Sequence, residues 1–409
     1  MDCCGIIAEY NPFHNGHLYH IEQTRRITGK KRIIAVMSGG FVQRGEPALF
    51  DKLRRAEWAL KGGAAMVIEL PAIFALSSAE QFARGGVKIL AATGLCDSIS
   101  FGSECRDLSA LNTLAKISGE EKQQLDLLIK QSLSKGLSYP AAFKAAVSLA
   151  YPDCAMLLDK PNALLGIEYI RACHSLSPDG RTPVLSPFLV ERKASEHTGS
   201  EILGSIPSAS AVRMNIMSTF DEALMSKCLP KHVFDDICEG KIRLASVSDD
   251  ALFKVLAYKV LATPLSRVSE YAEVSEGLEN VIIEAVKKAH SMAELTGLIK
   301  TKRYSYAKIR RCLMSVLLDI DKQLQSDAYS LPSAPYIRVL GVRRDSTDLL
   351  SSLAKSAAAP VITSAKDAAQ LDGTALKLHN LDVLSSDLQS LLYLGNGASN
   401  EFSRRFLLV

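Results

Sequence analysis

The chain has 409 residues, more than one ordinary domain, so two or three are expected. With 47% hydrophobic and 22% charged residues, apolar runs too short to span a bilayer and no basic flank beside Asp2, it reads as a globular cytoplasmic protein without a signal peptide or membrane span. A net charge of +4 does not by itself imply nucleic acid, and nine scattered cysteines without a CxxC pair argue against a disulfide framework or zinc site, leaving reduced and mostly buried thiols.

Residues 3–10, CCGIIAEY, are a short apolar run of the kind buried in a parallel sheet, and predict a strand. A helix follows over 16–29, closed by Gly29. KRIIAVMSG at 31–39 predicts a second strand, 50–63 a helix ending on a glycine pair, and AAMVIELP at 64–71 a third strand. A serine-capped helix over 77–94 and a fourth strand, CDSISFGSE at 96–104, complete a βαβαβαβ order. That order predicts an α/β fold, a Rossmann-like parallel sheet with helices on both faces. Residues 107–175 read as helical with breaks at Gly119, Gly136 and Pro140, and 182–193 as a strand. SASAVRMNIMSTFDEALMSKC, 208–228, predicts one helix after Pro207, and 222–325 reads as mainly helical. From about Ala334 a small α/β unit follows: strand 336–342, helix 346–357, strand 360–365, then a helix. The expected domains are 1–220 for nucleotide chemistry, 221–330 as a helical basic region, and 331–409 as the C-terminal α/β unit.

The chemistry concentrates in the first loop, GIIAEYNPFHNGHLYH, which puts His14, His17 and His20 where a strand hands over to a helix. In an open parallel sheet, ligands bind at the carboxyl ends of the strands. The amides and dipole of a helix start attract anions there, and Gly16 permits close backbone approach. His14 and His17 can donate to phosphoryl oxygens. Neither a P-loop nor a GxGxxG spacing is present. A zinc pair remains an alternative but lacks an obvious third ligand, and structural histidines are the other.

NPFHNGH resembles the HxGH signature of the nucleotidyltransferase superfamily, and SASAVR, Ser208 to Arg213, resembles its second, serine-rich signature ending in arginine. With VMSGGFVQRGEPALFDKLRRAEWAL, VIELP, FGSE, KPNALLGIEY and LIKTKRYSYAKIRR, the chain from Gly5 to about Leu340 resembles the bacterial tRNA(Met) cytidine acetate ligase family. The resemblance implies an ATP-dependent, acyl-adenylate-forming ligase. It would activate acetate as acetyl-adenylate and transfer the acetyl group to the N4 amine of the wobble cytidine in elongator tRNA(Met), giving N4-acetylcytidine. It implies ATP as a substrate, with Mg2+ as an admissible companion, and neither DNA nor a membrane as partner. Its ATP contacts map onto Ile7, Glu9, Tyr10, Asn11, Pro12, Phe13, His14, Asn15, Gly16, His17 and His20, and onto Gly102, Asn162, Arg192 and Ser210. His14, His17 and Arg213 are the expected catalytic donors, because the protein's part is positioning and charge stabilisation. Gly102 would let the adenine lie flat against the backbone.

Gln43, Arg44 and Glu46 lie in a polar glycine-bearing loop placed to cover acetate or cytidine, unless it is simply solvated. Asn162 has a second reading as a helix cap. The run at 300–311 carries Lys300, Lys302, Arg303, Lys308, Arg310 and Arg311 with Tyr304 and Tyr306 and no acid. Such a run suits RNA phosphates and splayed bases, or else is a solvated helix face with its tyrosines turned inward. Arg338, Arg343 and Arg344 are candidates to extend it. Two other functions stay in view. One is a small-molecule nucleotidyltransferase releasing pyrophosphate from an NTP; the other is a nucleotide-sensing RNA-binding protein with a decayed site.

Overall fold

The structure, a computed structural model, describes residues 2–117, 119–137, 139–177, 182–192, 208–218, 220–239, 248–275, 277–301, 304–393 and 406–409. Among them run strands β1 (Cys3–Ala8), β2 (Arg32–Ser38), β3 (Phe41–Val42), β4 (Glu46–Pro47), β5 (Met66–Leu70), β6 (Cys96–Ser103), β7 (Ser186–Glu191), β8 (Ile337–Val342), β9 (Val361–Ile362) and β10 (Leu407–Leu408). The main sheet has the order β10-β8-β5-β2-β1-β6-β7, with β9 beside β8. Its neighbours are parallel except β5 and β8. β3 and β4 form a separate antiparallel hairpin.

The first four predicted strands and the α/β class are found as expected. From β1 the chain steps outward through β2 to β5, then returns to the other side of β1 for β6 and β7. The strand order therefore reverses between β1 and β6, and the crevice at their carboxyl ends is where such sheets bind ligands. The run Cys3 to Ile7 is buried throughout, which accounts for its unbroken apolar character. The helix Asn15–Thr28 ends at Gly29, whose φ of 69° lets its N–H return to the Arg25 carbonyl at 3.0 Å.

Several boundaries differ from expectation. The single helix predicted over 208–228 is two, Ala209–Met217 and Glu222–Cys228. Phe220 turns the chain with φ 44°, and Asp221 caps the second helix by accepting from Leu224 N–H at 3.0 Å. Pro140 stands in the first turn of the helix Tyr139–Ala150, where a missing N–H costs nothing, so the break lies before it. Phe220, Met225, Cys228, Val233 and Ile237 join the apolar cluster of Cys4, Ile6 and Trp58, so the first core runs past residue 220. Likewise 331–409 adds β8, β9 and β10 to the N-terminal sheet instead of forming a sheet of its own.

The C-terminal helix Gly373–Leu392 buttresses the site side of that sheet. Gln389 Nε2 donates to the carbonyls of Ala48 at 2.7 Å and Phe50 at 3.2 Å, and Asp382 accepts the Ala72 N–H at 2.7 Å. Beneath the loop, buried Lys52 pairs with buried Glu69 at 2.8 Å, and Arg338 reaches the other Glu69 oxygen at 3.3 Å. Charges buried this deeply persist only when paired. Of the cysteines, Cys238 is exposed, Cys105 half-buried and the rest buried. Among the described residues no helix is long and apolar enough to cross a membrane.

Candidate active site

The loop after β1 builds its helix start from histidines. His14, extended at φ −135° and ψ 174°, is the N-cap of the helix Asn15–Thr28. Its Nδ1 accepts the Gly16 N–H at 3.0 Å, and His17 Nδ1 accepts the His14 N–H at 3.2 Å. This is a reciprocal capping box made of two imidazoles in place of serine and glutamate. Because both Nδ1 atoms accept, both rings carry their proton on Nε2. The rings stack with centroids 3.9 Å apart and planes 29° apart. Tyr10 meets His17 edge-on at 4.9 Å and Phe13 at 5.0 Å, which holds the ring from behind.

Burial keeps these imidazoles neutral. It pushes His14 down to about 3, with Arg192 and Arg213 adding to the shift. It pushes His17 well below the usual histidine range, with His14 and Arg192 contributing, and His20 down to about 4, with Arg192 contributing. His14 and His17 are thus two neutral imidazoles protonated on Nε2 at a helix start, with the Arg192 charge acting on both and the Arg213 charge on His14. His20 differs, because its Nε2 lies 3.2 Å from Ser100 Oγ, which is 2.7 Å from Thr24 Oγ1. It ties the helix to β6.

Arg213 docks the second signature onto the first. Its Nη1 donates to the Asn11 carbonyl at 2.8 Å, and its Nη2 reaches Ser210 Oγ at 3.4 Å and Glu46 Oε1 at 3.3 Å. Ser208 caps that helix by accepting from Ala211 N–H at 3.2 Å. On the other side, Gly102 lies against Arg192, whose Cγ would sit 3.2 Å from an added Cβ. Arg192 Nη1 donates to Asn162 Oδ1 at 3.2 Å, and Asn162 Nδ2 donates to Glu104 at 2.5 Å. Glu104 also accepts the Ala163 N–H at 3.2 Å, so the helix Pro161–Ser175 is capped by Glu104, and Asn162 is oriented by it. Asn162 therefore does not cap its own helix.

The remaining loop residues form the frame. Ile7, Tyr10, Asn11 and Phe13 are buried, the Asn11–Pro12 bond is cis, and Asn11 Oδ1 accepts the Leu49 N–H at 2.8 Å. Asn15 Nδ2 donates to the Lys227 carbonyl at 2.7 Å. Glu9 accepts the Gln43 N–H at 2.9 Å, and burial raises its carboxyl above the usual range. The loop with Gln43, Arg44 and Glu46 is thus pinned to the site, and only Arg44 of the three is exposed.

The basic run is more inward than expected. Lys302 and Arg303 lie outside the described residues. Arg310 pairs with Glu46 at 3.1 Å, and Arg311 faces Glu273 at 3.7 Å. Tyr304 Oη lies 2.6 Å from Ser275 Oγ with the Lys308 ammonium 5.2 Å above its ring. Tyr306 is 56% exposed, with Lys300 at 5.5 Å, and presents an open ring. Arg338 is taken by Glu69, while the Arg343 N–H donates to the Ala65 carbonyl at the amino end of β5, opposite the site. Arg338, Arg343 and Arg344 do not extend a surface patch here, because antiparallel β8 buries the first and carries the others to the far edge.

Two residues escaped the sequence reading. Glu104 closes FGSE two residues after Gly102, and no local pattern marks it as the cap of a distant helix. Arg55 is fully buried and donates to the carbonyls of Phe50 at 2.8 Å, Glu9 at 2.7 Å, Ser38 at 2.9 Å and Gly39. It ties the carboxyl ends of β1 and β2 together, and nothing in its helical context marks it. Among the described residues no group of three or more His, Cys, Asp or Glu is arranged to hold a metal ion.

A family model described as HIGH Nucleotidyl Transferase matches residues 1–404. The chain is similar to the tRNA(Met) cytidine acetate ligase of Thermoanaerobacter sp. (strain X514), with 37% identity over 96% of each chain. It is similar to that of Acetivibrio thermocellus, with 34% identity over the whole of both. Two crystal structures of Thermotoga maritima TmcAL align over the full length of both chains at 29% identity, one bound with alpha-thio ATP at a TM-score of 0.89 and one apo at 0.91.

Proposed function

The chain belongs to the HIGH nucleotidyl transferase family and, within it, to the tRNA(Met) cytidine acetate ligases, and from that premise we propose how its residues divide the reaction. The protein is an ATP-dependent ligase. An acetate oxygen attacks the α-phosphorus of ATP, pyrophosphate leaves, and acetyl-adenylate forms. The N4 amine of the wobble cytidine of elongator tRNA(Met) then attacks the acetyl carbon, AMP leaves with the bond electrons, and the amine proton is lost, giving N4-acetylcytidine.

The observation that supports the assignment most directly is the reciprocal histidine cap, which engages both Nδ1 atoms and so leaves the proton of each neutral ring on Nε2. In this reading His14 and His17 donate to phosphoryl oxygens as charge builds at the α-phosphorus, and the helix start adds its amides. Arg213 and Ser210 take the β- and γ-phosphates that depart together. Gly102, Asn162 and Arg192 form the wall for the nucleoside. Mg2+ would enter on the triphosphate itself. The loop with Gln43 and Arg44 faces the acetate side, and the helical region with Lys300 and Tyr306 receives the tRNA. A cytoplasmic setting, where ATP and tRNA are found, goes with this reading. The match over the full chain favours it over a small-molecule nucleotidyltransferase, which would need no helical region.

The test is exchange of labelled pyrophosphate into ATP, with and without acetate, together with nucleoside analysis of tRNA(Met) after incubation with acetate and ATP. Acetate-dependent exchange and N4-acetylcytidine in the digest are expected. Exchange indifferent to acetate, with unmodified tRNA, would refute the assignment.

A further inference from the structure

We propose that Glu46 is a positioning residue for which the phosphate site and the basic run compete, so that bound triphosphate hinders tRNA and its loss as pyrophosphate admits it. The inference rests on the acetate-ligase reading above and concerns the order of its two halves.

Glu46 stands on β4 between two arginines from distant parts of the chain. Its Oε1 lies 3.3 Å from Nη2 of Arg213, on the helix of the serine-rich signature. Its Oε2 lies 3.1 Å from Nη1 of Arg310, on the helix Tyr306–Leu317 of the basic run. All three side chains are mostly buried, with exposures of 23% for Glu46, 14% for Arg213 and 24% for Arg310. Gly45, at φ 75°, brings the hairpin so close that an added Cβ would lie 2.4 Å from the Arg311 amide nitrogen. The hairpin is seated on that helix, so any change must pass through the side chains.

One carboxylate carries one negative charge for two cations. In a partly buried setting their attraction to it is only weakly screened. Triphosphate at the site draws the Arg213 guanidinium toward its own oxygens. Glu46 is then left to Arg310 alone and holds it more firmly, which withholds Arg310 from a phosphodiester. When pyrophosphate leaves, Arg213 returns to Glu46 and Arg310 is released to the RNA. Linkage requires the reverse effect: tRNA that engages Arg310 frees Glu46 to retain Arg213, and weakens triphosphate binding by the same factor. The result is adenylation before tRNA docking, with no moving lid.

The experiment measures binding of a tRNA(Met) transcript to the full-length protein alone, with α,β-methylene-ATP, and with AMP. The ATP analogue is expected to weaken tRNA binding roughly 5- to 10-fold, a usual coupling size, and AMP to leave it unchanged. Transcript lacking the target cytidine should raise the KM for ATP in exchange by the same factor while kcat holds. Glu46→Gln keeps the shape but removes the charge, and should bring the analogue effect to about 1-fold; Arg310→Gln should do the same from the other end. A wild-type protein that exchanges and acetylates normally but binds tRNA equally with and without the analogue would overturn the inference and leave the ligase reading intact. So would a Glu46→Gln protein that keeps the wild-type ratio, or, should that variant not fold, an Arg310→Gln protein that keeps it. Absence of acetate-dependent exchange in the wild type would instead remove the reading and the inference together.

Discussion

His14 and His17 each give their Nδ1 to the turn that joins them, His14 to the Gly16 N–H and His17 to the His14 N–H. One interaction thus does two things. It caps the first helix, and it sets the tautomer that, in the proposed reaction, offers Nε2–H to a phosphate. The two roles separate by substitution. Asn at position 14 can still accept from the helix amides, whereas Ala cannot. His14→Ala should lose about 1 kcal/mol of stability and His14→Asn much less. Both should lower acetate-dependent pyrophosphate exchange by roughly 100-fold, the scale for one oxyanion donor. Urea unfolding beside exchange rates checks this. An Asn variant with near-normal exchange would show that the ring serves the fold alone.

The acid response follows from the same burial. With His14 pushed down to about 3, His20 to about 4 and His17 well below its usual range, the folded protein keeps all three neutral near pH 6. The unfolded chain protonates them near 6.5, so it binds more protons as pH falls. The stability they contribute is complete above pH 6.5 and is lost as pH falls toward 4 and 3. By pH 5.5 the loss should be on the order of 1 kcal/mol per histidine. Urea midpoints at pH 7.5 and 5.5 measure it, and His20→Asn should reduce the slope. The exchange rate should show no inflection near pH 6.5; one there would mean that a charged imidazolium takes part.

Arg55 is the most heavily committed buried cation of the site frame, with four carbonyl acceptors at the ends of β1, β2 and the following loop. Lysine carries the charge but not the planar fork. Arg55→Lys should destabilise by about 3 kcal/mol, as when a buried charge loses its partners. Because Glu9, Ser38 and Gly39 would shift, exchange should fall in the protein that remains folded. A Lys variant with wild-type stability and KM for ATP would dismiss this frame.

Much of this was readable in the chain itself, and the parts that were not share a cause. The apolar runs of β1, β2, β5 and β6, the Gly29 stop and the paired HxGH and SASAVR signatures are local patterns, and local patterns survive in sequence. The split at Phe220 was hidden because both flanking segments have helical periodicity, and the turn depends on one cap, Asp221. The pairing of β8 with β5 joins residues far apart in the chain, and no composition shift marks it. Arg310 reads as an RNA contact because its neighbours are basic, but its pairing with Glu46 joins residues far apart in the chain and leaves no local pattern.

The exposed part of the basic run is where RNA binding should be sought. Among its described residues, Arg310 and Arg311 face carboxylates, and Tyr304 turns its hydroxyl to Ser275. Tyr306 stays open to solvent, with Lys300 near its ring, while Lys308 sits over Tyr304. Each lysine that neutralises an RNA phosphate releases counterions and adds about 0.7 to 0.9 to the salt slope. Lys300→Ala with Lys308→Ala should therefore reduce the slope of log K against log salt by roughly 1.5 to 2. Tyr306→Ala should weaken binding at all salt concentrations with little change of slope, by about 1–3 kcal/mol for a lost stacking partner. Acetate-dependent exchange without tRNA should be unchanged in all of them, since none of these side chains touches the phosphate loop. If exchange falls in step with tRNA affinity, the run supports the fold and the RNA surface lies elsewhere. If the slope is unchanged while affinity drops, the lysines act on the tyrosine rings and not on phosphates.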